Sequence, residues 1–166
     1  MKRKGQAAME FLMTYGWAIL VVLLAIGALA YFGVLSPQKL LPERTTFAAP
    51  IPNLDNAVVD AETNTVEIAF KNNKGVAITL PLNGTVSPDS GVPCYNATVS
   101  ATNNKGESVD NSTSIPNGEN FLVEWECDGD APGVGSKFKA DMTFDYTNAE
   151  TGQTITHSGT VDGKYS

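Results

Sequence analysis

The chain has few of the residues that usually do chemistry. It contains one histidine, His157, and two cysteines, Cys94 and Cys127, among 166 residues. There is no nucleophile elbow, no phosphate-cradling glycine loop and no set of four metal ligands at zinc-like spacing, so the familiar catalytic constellations are missing. A carboxylate-only enzyme needs no motif, but nothing here favours one, and no catalytic residue, metal or cofactor is expected. His157 reads as an ordinary strand residue. Basic residues are also scarce: beyond residue 44, 6 bases face 16 acids, within a net charge of -7 for the whole chain. Such a surface repels nucleic acid and favours solubility. Asp128-Gly129-Asp130 is the one short acidic pair to weigh as a divalent-ion site, and it falls well short of a calcium loop.

What the chain does have is an apolar run. Residues 11–35 carry no charge and, as a helix, would reach about 37 Å, enough to cross a bilayer. Residues 20–30 are hydrophobic on every side apart from Gly27, so this helix must be buried all round, in lipid or among other helices. Lys2, Arg3 and Lys4 precede it, whereas Lys39 and Arg44 follow with Glu43 between them. The bias places the N-terminus in the cytoplasm. Gly27, Ala30 and Gly33 fall three apart and share a face where another helix could approach closely, although no strict GxxxG is present.

The residues alone leave three readings of this segment. A secretory signal peptide would use Ala28-Leu29-Ala30 as its cleavage site, but the apolar stretch before it is overlong and continues beyond. A plain transmembrane anchor explains length and flanking charge, yet leaves Gly5-Gln6 and Glu10 without a purpose. The third reading uses all of them. Lys2-Arg3-Lys4-Gly5 followed by Gln6-Ala7-Ala8-Met9-Glu10 resembles the class III signal peptide of archaeal type IV pilin-like proteins, in which a prepilin peptidase cuts between glycine and glutamine. The family pattern has Ser two positions after Gln, Glu four after it, and Leu further on. Gln6 and Glu10 match, while Ala8 and Thr14 stand at the other two positions.

This resemblance implies that residues 1–5 are removed and the apolar helix stays in the mature chain. It also implies a role for Glu10. A carboxylate inside an apolar segment is costly unless it neutralises, snorkels or meets a cation; cutting before Gln6 creates one, the new α-amino group, and in the resembled family this glutamate is thought to pair with a neighbour's amine and set register. The alternative is that Glu10 lies at the headgroup level and favours the helix N-terminus.

After residue 35, Pro37, Pro42, Pro50 and Pro52 interrupt helix formation, and a connector is expected over 36–53. Residues 54–166 alternate as half-buried strands do. Phe138, Ala140, Met142, Phe144 and Tyr146 share one face of the clearest strand, and Phe121, Val123, Trp125 and Cys127 share one face of another. Residues 147–152 form a turn toward a strand over 153–161. Val66, Ile68 and Phe70 are expected to pair through Asn72-Asn73-Lys74-Gly75 with 76–80 as a hairpin. With 94–100 added, six or seven strands and no long helix are expected. The fold class is therefore α+β, a long hydrophobic helix followed by an all-β domain, Ig-like and a β-sandwich. Looser resemblance to the same family continues through Phe70, Lys71, Asn72, Asn73 and Gly75. It closes with Tyr146, Thr147, Thr151, Gly152, Gly159, Val161, Gly163 and Lys164.

Both cysteines lie in the part expected outside, so Cys94 and Cys127 read as one disulfide, with two free buried thiols as the alternative. Asn83-Gly84-Thr85, Asn96-Ala97-Thr98 and Asn111-Ser112-Thr113 are N-glycosylation sequons clustered in that domain. The combined expectation is a homopolymeric pilin: helix in the filament core, β domain outside, adhesion as the purpose. Its expected partners are copies of itself, the prepilin peptidase, an assembly ATPase with its membrane platform protein, and the membrane before assembly. A monomeric membrane-anchored binding module at the cell surface and a minor pilin or pseudopilin of a secretion system are the alternatives.

Overall fold

The computed structural model describes residues 3–31, 42–89, 92, 94 and 96–166. It divides into two compact units, Met1–Leu41 and Pro42–Ser166. In the first, helix α1 runs Arg3–Tyr31. The absence of proline and the run of Ala, Leu and Met favour it.

The second unit holds nine strands among the described residues, more than the six or seven expected. They are β1 Arg44–Phe47, β2 Val58–Asp60, β3 Thr65–Lys71, β4 Ile78–Thr79, β5 Gly84–Pro88, β6 Ala97–Asn103, β7 Asn120–Cys127, β8 Lys137–Asn148 and β9 Thr154–Lys164. All ladders are antiparallel. One sheet runs β1-β9-β8-β4, with β5 also on β8, and the other runs β2-β3-β7-β6. Alternation works as the residue pattern demands. Val66, Ile68 and Phe70 of β3 and Phe121, Val123 and Trp125 of β7 are buried, as are Phe138, Met142 and Phe144 of β8.

The two buried faces meet through aromatic rings. Phe70 and Phe144, from opposite sheets, have centroids 4.9 Å apart, and Phe47 meets Phe70 edge-on at 4.9 Å. Trp125 is fully buried and its indole Nε1 donates to the Thr143 carbonyl of the other sheet at 3.1 Å. A buried indole needs such a partner. Gly84 makes this approach feasible, because a Cβ there would collide with the same Thr143 carbonyl and crowd Trp125. At the far end, the Tyr165 hydroxyl donates to Asn64 Oδ1 at 3.1 Å, while Asn64 Nδ2 donates to the Cys127 and Gly129 carbonyls.

Two expectations are corrected. The connector over 36–53 ends early, because Arg44–Phe47 pairs with β9 and Ile51 is fully buried. Asparagine side chains let the proline-rich stretch hold a strand: Asn56 accepts from the Thr45 amide at 3.1 Å, and Asn53 accepts from the Phe47 amide at 2.9 Å while donating to the Thr45 carbonyl. The expected hairpin across 72–75 is not one either. Strand β3 pairs with β2 and β7, whereas β4 pairs with β8. Between them the buried Asn72 amide donates to the Val76 and Ile115 carbonyls, at 2.9 and 3.0 Å, and the chain crosses from one sheet to the other. The hairpin expected at 147–152 does form, joining β8 to β9 with Gly152 at φ 68° closing onto the Asn148 carbonyl.

Candidate functional site: the apolar helix

The Gly5-Gln6 bond lies within α1, since helical backbone begins at Arg3. Met1 and Lys2 are outside the described residues. Glu10 is exposed, and among the described residues its carboxylate takes part in no ion pair. One turn on, the Thr14 hydroxyl donates to the Glu10 carbonyl at 2.8 Å. That bond satisfies the hydroxyl within its own helix, so this polar residue adds little cost to an apolar environment.

The stretch Met13–Tyr31, 19 residues with a mean hydropathy of 2.1, is long and apolar enough to cross a membrane, and none of it is buried among the described residues. At 1.5 Å per residue it covers roughly 28 Å, close to the hydrocarbon thickness of a bilayer. Met13 is 81% exposed, Trp17 69% and Leu24 65%. Burying such a side chain is worth about 1.5–3 kcal/mol, so the helix carries a large unmet demand for an apolar surrounding. Gly27 has open space where a Cβ would stand, and Leu20, Leu23, Leu24, Ala28 and Tyr31 border a shallow groove over it. Ala30 lies one turn along, and Gly33 falls outside the described residues.

In the β domain, Cys94 and Cys127 form a disulfide with Cα atoms 4.8 Å apart, closing a separation of 33 residues. Chain entropy gives it roughly 3 to 4 kcal/mol. Two free thiols are thereby set aside. The sequon residues Asn83, Asn96 and Asn111 are all exposed. Asn96 Nδ2 donates to Asp128 Oδ2 at 3.3 Å, and Asn111 sits in a turn built on Asp110. The Asp110 carboxylate accepts from the Thr113 and Ser112 hydroxyls and the Ser112 amide, which hold its pKa at about 2. Asp128 and Asp130 gather no third ligand: among the described residues no group of three or more His, Cys, Asp or Glu is placed to hold a metal ion.

His157 is more than an ordinary strand position. It is buried, among the rings of Phe47, Phe144 and Tyr146, and its Nε2 lies 2.9 Å from the Ile51 carbonyl. Burial lowers its pKa, with the Ile51 bond opposing. Its position two residues from Ile155 in an alternating strand was the available signal for an inward side chain.

No family model matches this chain, and no curated protein does. Among solved structures it is similar to a conjugate transposon protein (residues 27–141) from Bacteroides vulgatus, at 12% identity and TM-score 0.31, over 71% of this chain and 86% of that one. It is also similar to a lipoprotein from Bacteroides thetaiotaomicron, at 10% identity and TM-score 0.29, over 75% and 81% of the two chains. Likenesses of this size carry no conclusion about function.

Proposed function

We propose that this chain is a structural subunit, a pilin, of an archaeal type IV pilus-like surface filament used for adhesion. The observation that carries the reading is a single helix that starts in the basic leader, passes through Gly5-Gln6 and Glu10, and continues as an apolar segment left exposed among the described residues. A membrane meets that demand before assembly, and neighbouring helices meet it afterwards. Residues 1–5 are the leader removed by a prepilin peptidase on the cytoplasmic side, and 6–35 form the filament core. An assembly ATPase with its platform protein moves the subunit from lipid to fibre, and the β domain from residue 42 onward forms the exterior. Glu10 pairs with a neighbour's new N-terminus. The role is architectural, not enzymatic.

The exterior domain is an Ig-like sandwich on this reading. Support comes from the order β2-β3-β7-β6 in one sheet and β5-β8-β9 in the other, which follows the A-B-E-D and C-F-G orders of that fold with β1 added beside the last strand. The disulfide departs from the antibody pattern, since it joins the segment before β6 to β7 within one sheet. Exposed Asn83, Asn96 and Asn111 suit glycan attachment on an exported surface.

Mass spectrometry of the mature N-terminus tests the proposal. A chain beginning at Gln6, found in sheared surface filaments, is the expected result. An intact Met1 without filaments leaves a monomeric anchored module, and a chain beginning at Tyr31 makes the helix a discarded signal; either overturns the reading. Processing at Gln6 with rare, tip-located copies would assign a minor pilin instead.

A further inference from the structure

The outer face of the β2-β3-β7-β6 sheet is acidic, whereas bases gather at one end of the other sheet's outer face, and each face bears a like-charge pair directly across a ladder. On the β2-β3-β7-β6 sheet, Glu67 stands directly opposite Glu124, and Glu126 follows two residues on, beside Thr65 and Thr98. These carboxylates point outward because Val66, Ile68, Val123 and Trp125 take the buried positions between them. The four strands contain one base, Lys71, against Asp60, Glu67, Glu124 and Glu126. Among the described residues, none of Glu67, Glu124 and Glu126 makes an ion pair.

On the other sheet, Lys137 stands directly opposite Lys164, and in the next row Arg44, Asp162 and Lys139 lie across β1, β9 and β8. Thus four of the bases from residue 44 onward gather at one end of one sheet face. Asp162 takes Lys137 at 3.6 Å and Asp89 takes Lys139 at 3.3 Å. Arg44 and Lys164 make no ion pair among the described residues, and Asp141 is the next carboxylate along β8 on the same face.

Like charges directly across a ladder are destabilising, by a few tenths of a kcal/mol up to about 1 kcal/mol. Glu67 and Glu124 on one face and Lys164 and Arg44 on the other, none of them ion-paired among the described residues, are relieved together if one face meets the other on a neighbouring molecule. We infer that the Glu67–Glu124–Glu126 face of one copy docks on the Arg44–Lys137–Lys164 end of the opposite sheet in a second copy of this chain. The two patches differ and lie on opposite sides of the domain, so the contact is heterologous. Repetition then builds an open series or a ring, not a closed two-fold dimer. Charge complementarity of this kind fixes orientation and register more than it supplies raw affinity, which suits subunits already held together by their helices. The inference deepens the filament reading by naming the lateral contact, and it also applies to copies clustered in a membrane.

Zero-length carbodiimide coupling on intact cells bearing the full-length chain, followed by peptide mapping, tests this directly. Coupling between Lys164 or Lys137 and Glu67 or Glu124 is expected, and it can only be intermolecular because the groups lie on opposite faces. Lys137–Asp162 and Lys139–Asp89 serve as internal positive controls. E67K/E124K alone, or R44E/K164E alone, is expected to lower intermolecular coupling roughly tenfold, and combining the two pairs to restore it. Internal coupling without any link between the two faces, or no recovery in the combined variant, overturns the inference. Filaments seen by electron microscopy without these links would sink the docking alone, whereas links without filaments would sink the pilus reading alone.

Discussion

Helix α1 and the β domain are built from similar apolar residues, yet they treat them in opposite ways. In the domain, Trp125, Phe70, Phe138 and Phe144 are all at or below 1% exposure, because alternation along each strand turns them toward a facing sheet. In the helix, Leu20, Leu23 and Leu24 are each more than half exposed, because apolar residues ring the axis and no polar face exists to be turned outward. The domain closes its hydrophobic demand within itself, while the helix leaves its demand unmet among the described residues. On the proposed reading, stability therefore belongs to the domain, and location and assembly to the helix.

The sharpest way to break that division is to damage one side and watch the other. Trp125→Ala removes a fully buried ring and its bond to Thr143, so the domain should lose about 3–5 kcal/mol. Denaturant unfolding in detergent reads this, and membrane retention should not change. Next, reducing Cys94–Cys127 should cost the domain roughly 3 to 4 kcal/mol, seen as a lower melting temperature under reductant. A melt indifferent to reductant would show that the loop holds without its bridge. On the helix side, Leu23→Arg should make insertion less favourable by about 3–4 kcal/mol, raising the fraction extracted from membranes by alkaline carbonate while the domain melt stays put. If this variant instead weakened the domain as much as Trp125→Ala does, the division would fail.

The smallest effect should come from pH. Burial depresses the folded pKa of His157 below its ordinary 6.5, with the Ile51 carbonyl opposing. The unfolded chain therefore binds a proton that the folded chain resists, so this contribution is present above about 6.5 and is lost as pH falls toward the folded value. A modest drop in melting temperature between neutral pH and pH 5, absent in His157→Gln, is the expected signature. An equal drop in both proteins would assign the effect to carboxylates.

Much of this architecture was legible in the residues, for reasons that also explain the misses. The apolar run and the alternation at 137–146 and 121–127 are long, single-period patterns, so α1, β7 and β8 follow from them directly. Strand β1 did not show, because four residues among prolines are too short for a period, and what secures it is side-chain bonding from Asn53 and Asn56. The Asn72 to Gly75 signal marked the end of β3 but not the next strand's partner, since a turn signal is local and sheet membership is not. Likewise, the opposition of Glu67 to Glu124 depends on the register of two strands more than fifty residues apart. The cysteine pair could be read by count alone, whereas Asn64 and Tyr165 meet only in the folded chain.

The short strand β1 has a mechanical meaning. A pull on the helix travels along the backbone and first reaches the folded domain at Arg44, where the load is taken by four residue pairs between β1 and β9. Behind them stand Phe47 in the core, the Asn53 and Asn56 amides, and Ile51 held by His157. Load applied to the helix therefore falls on this strand and its bracket before it can reach β3, β7 or the Cys94–Cys127 disulfide.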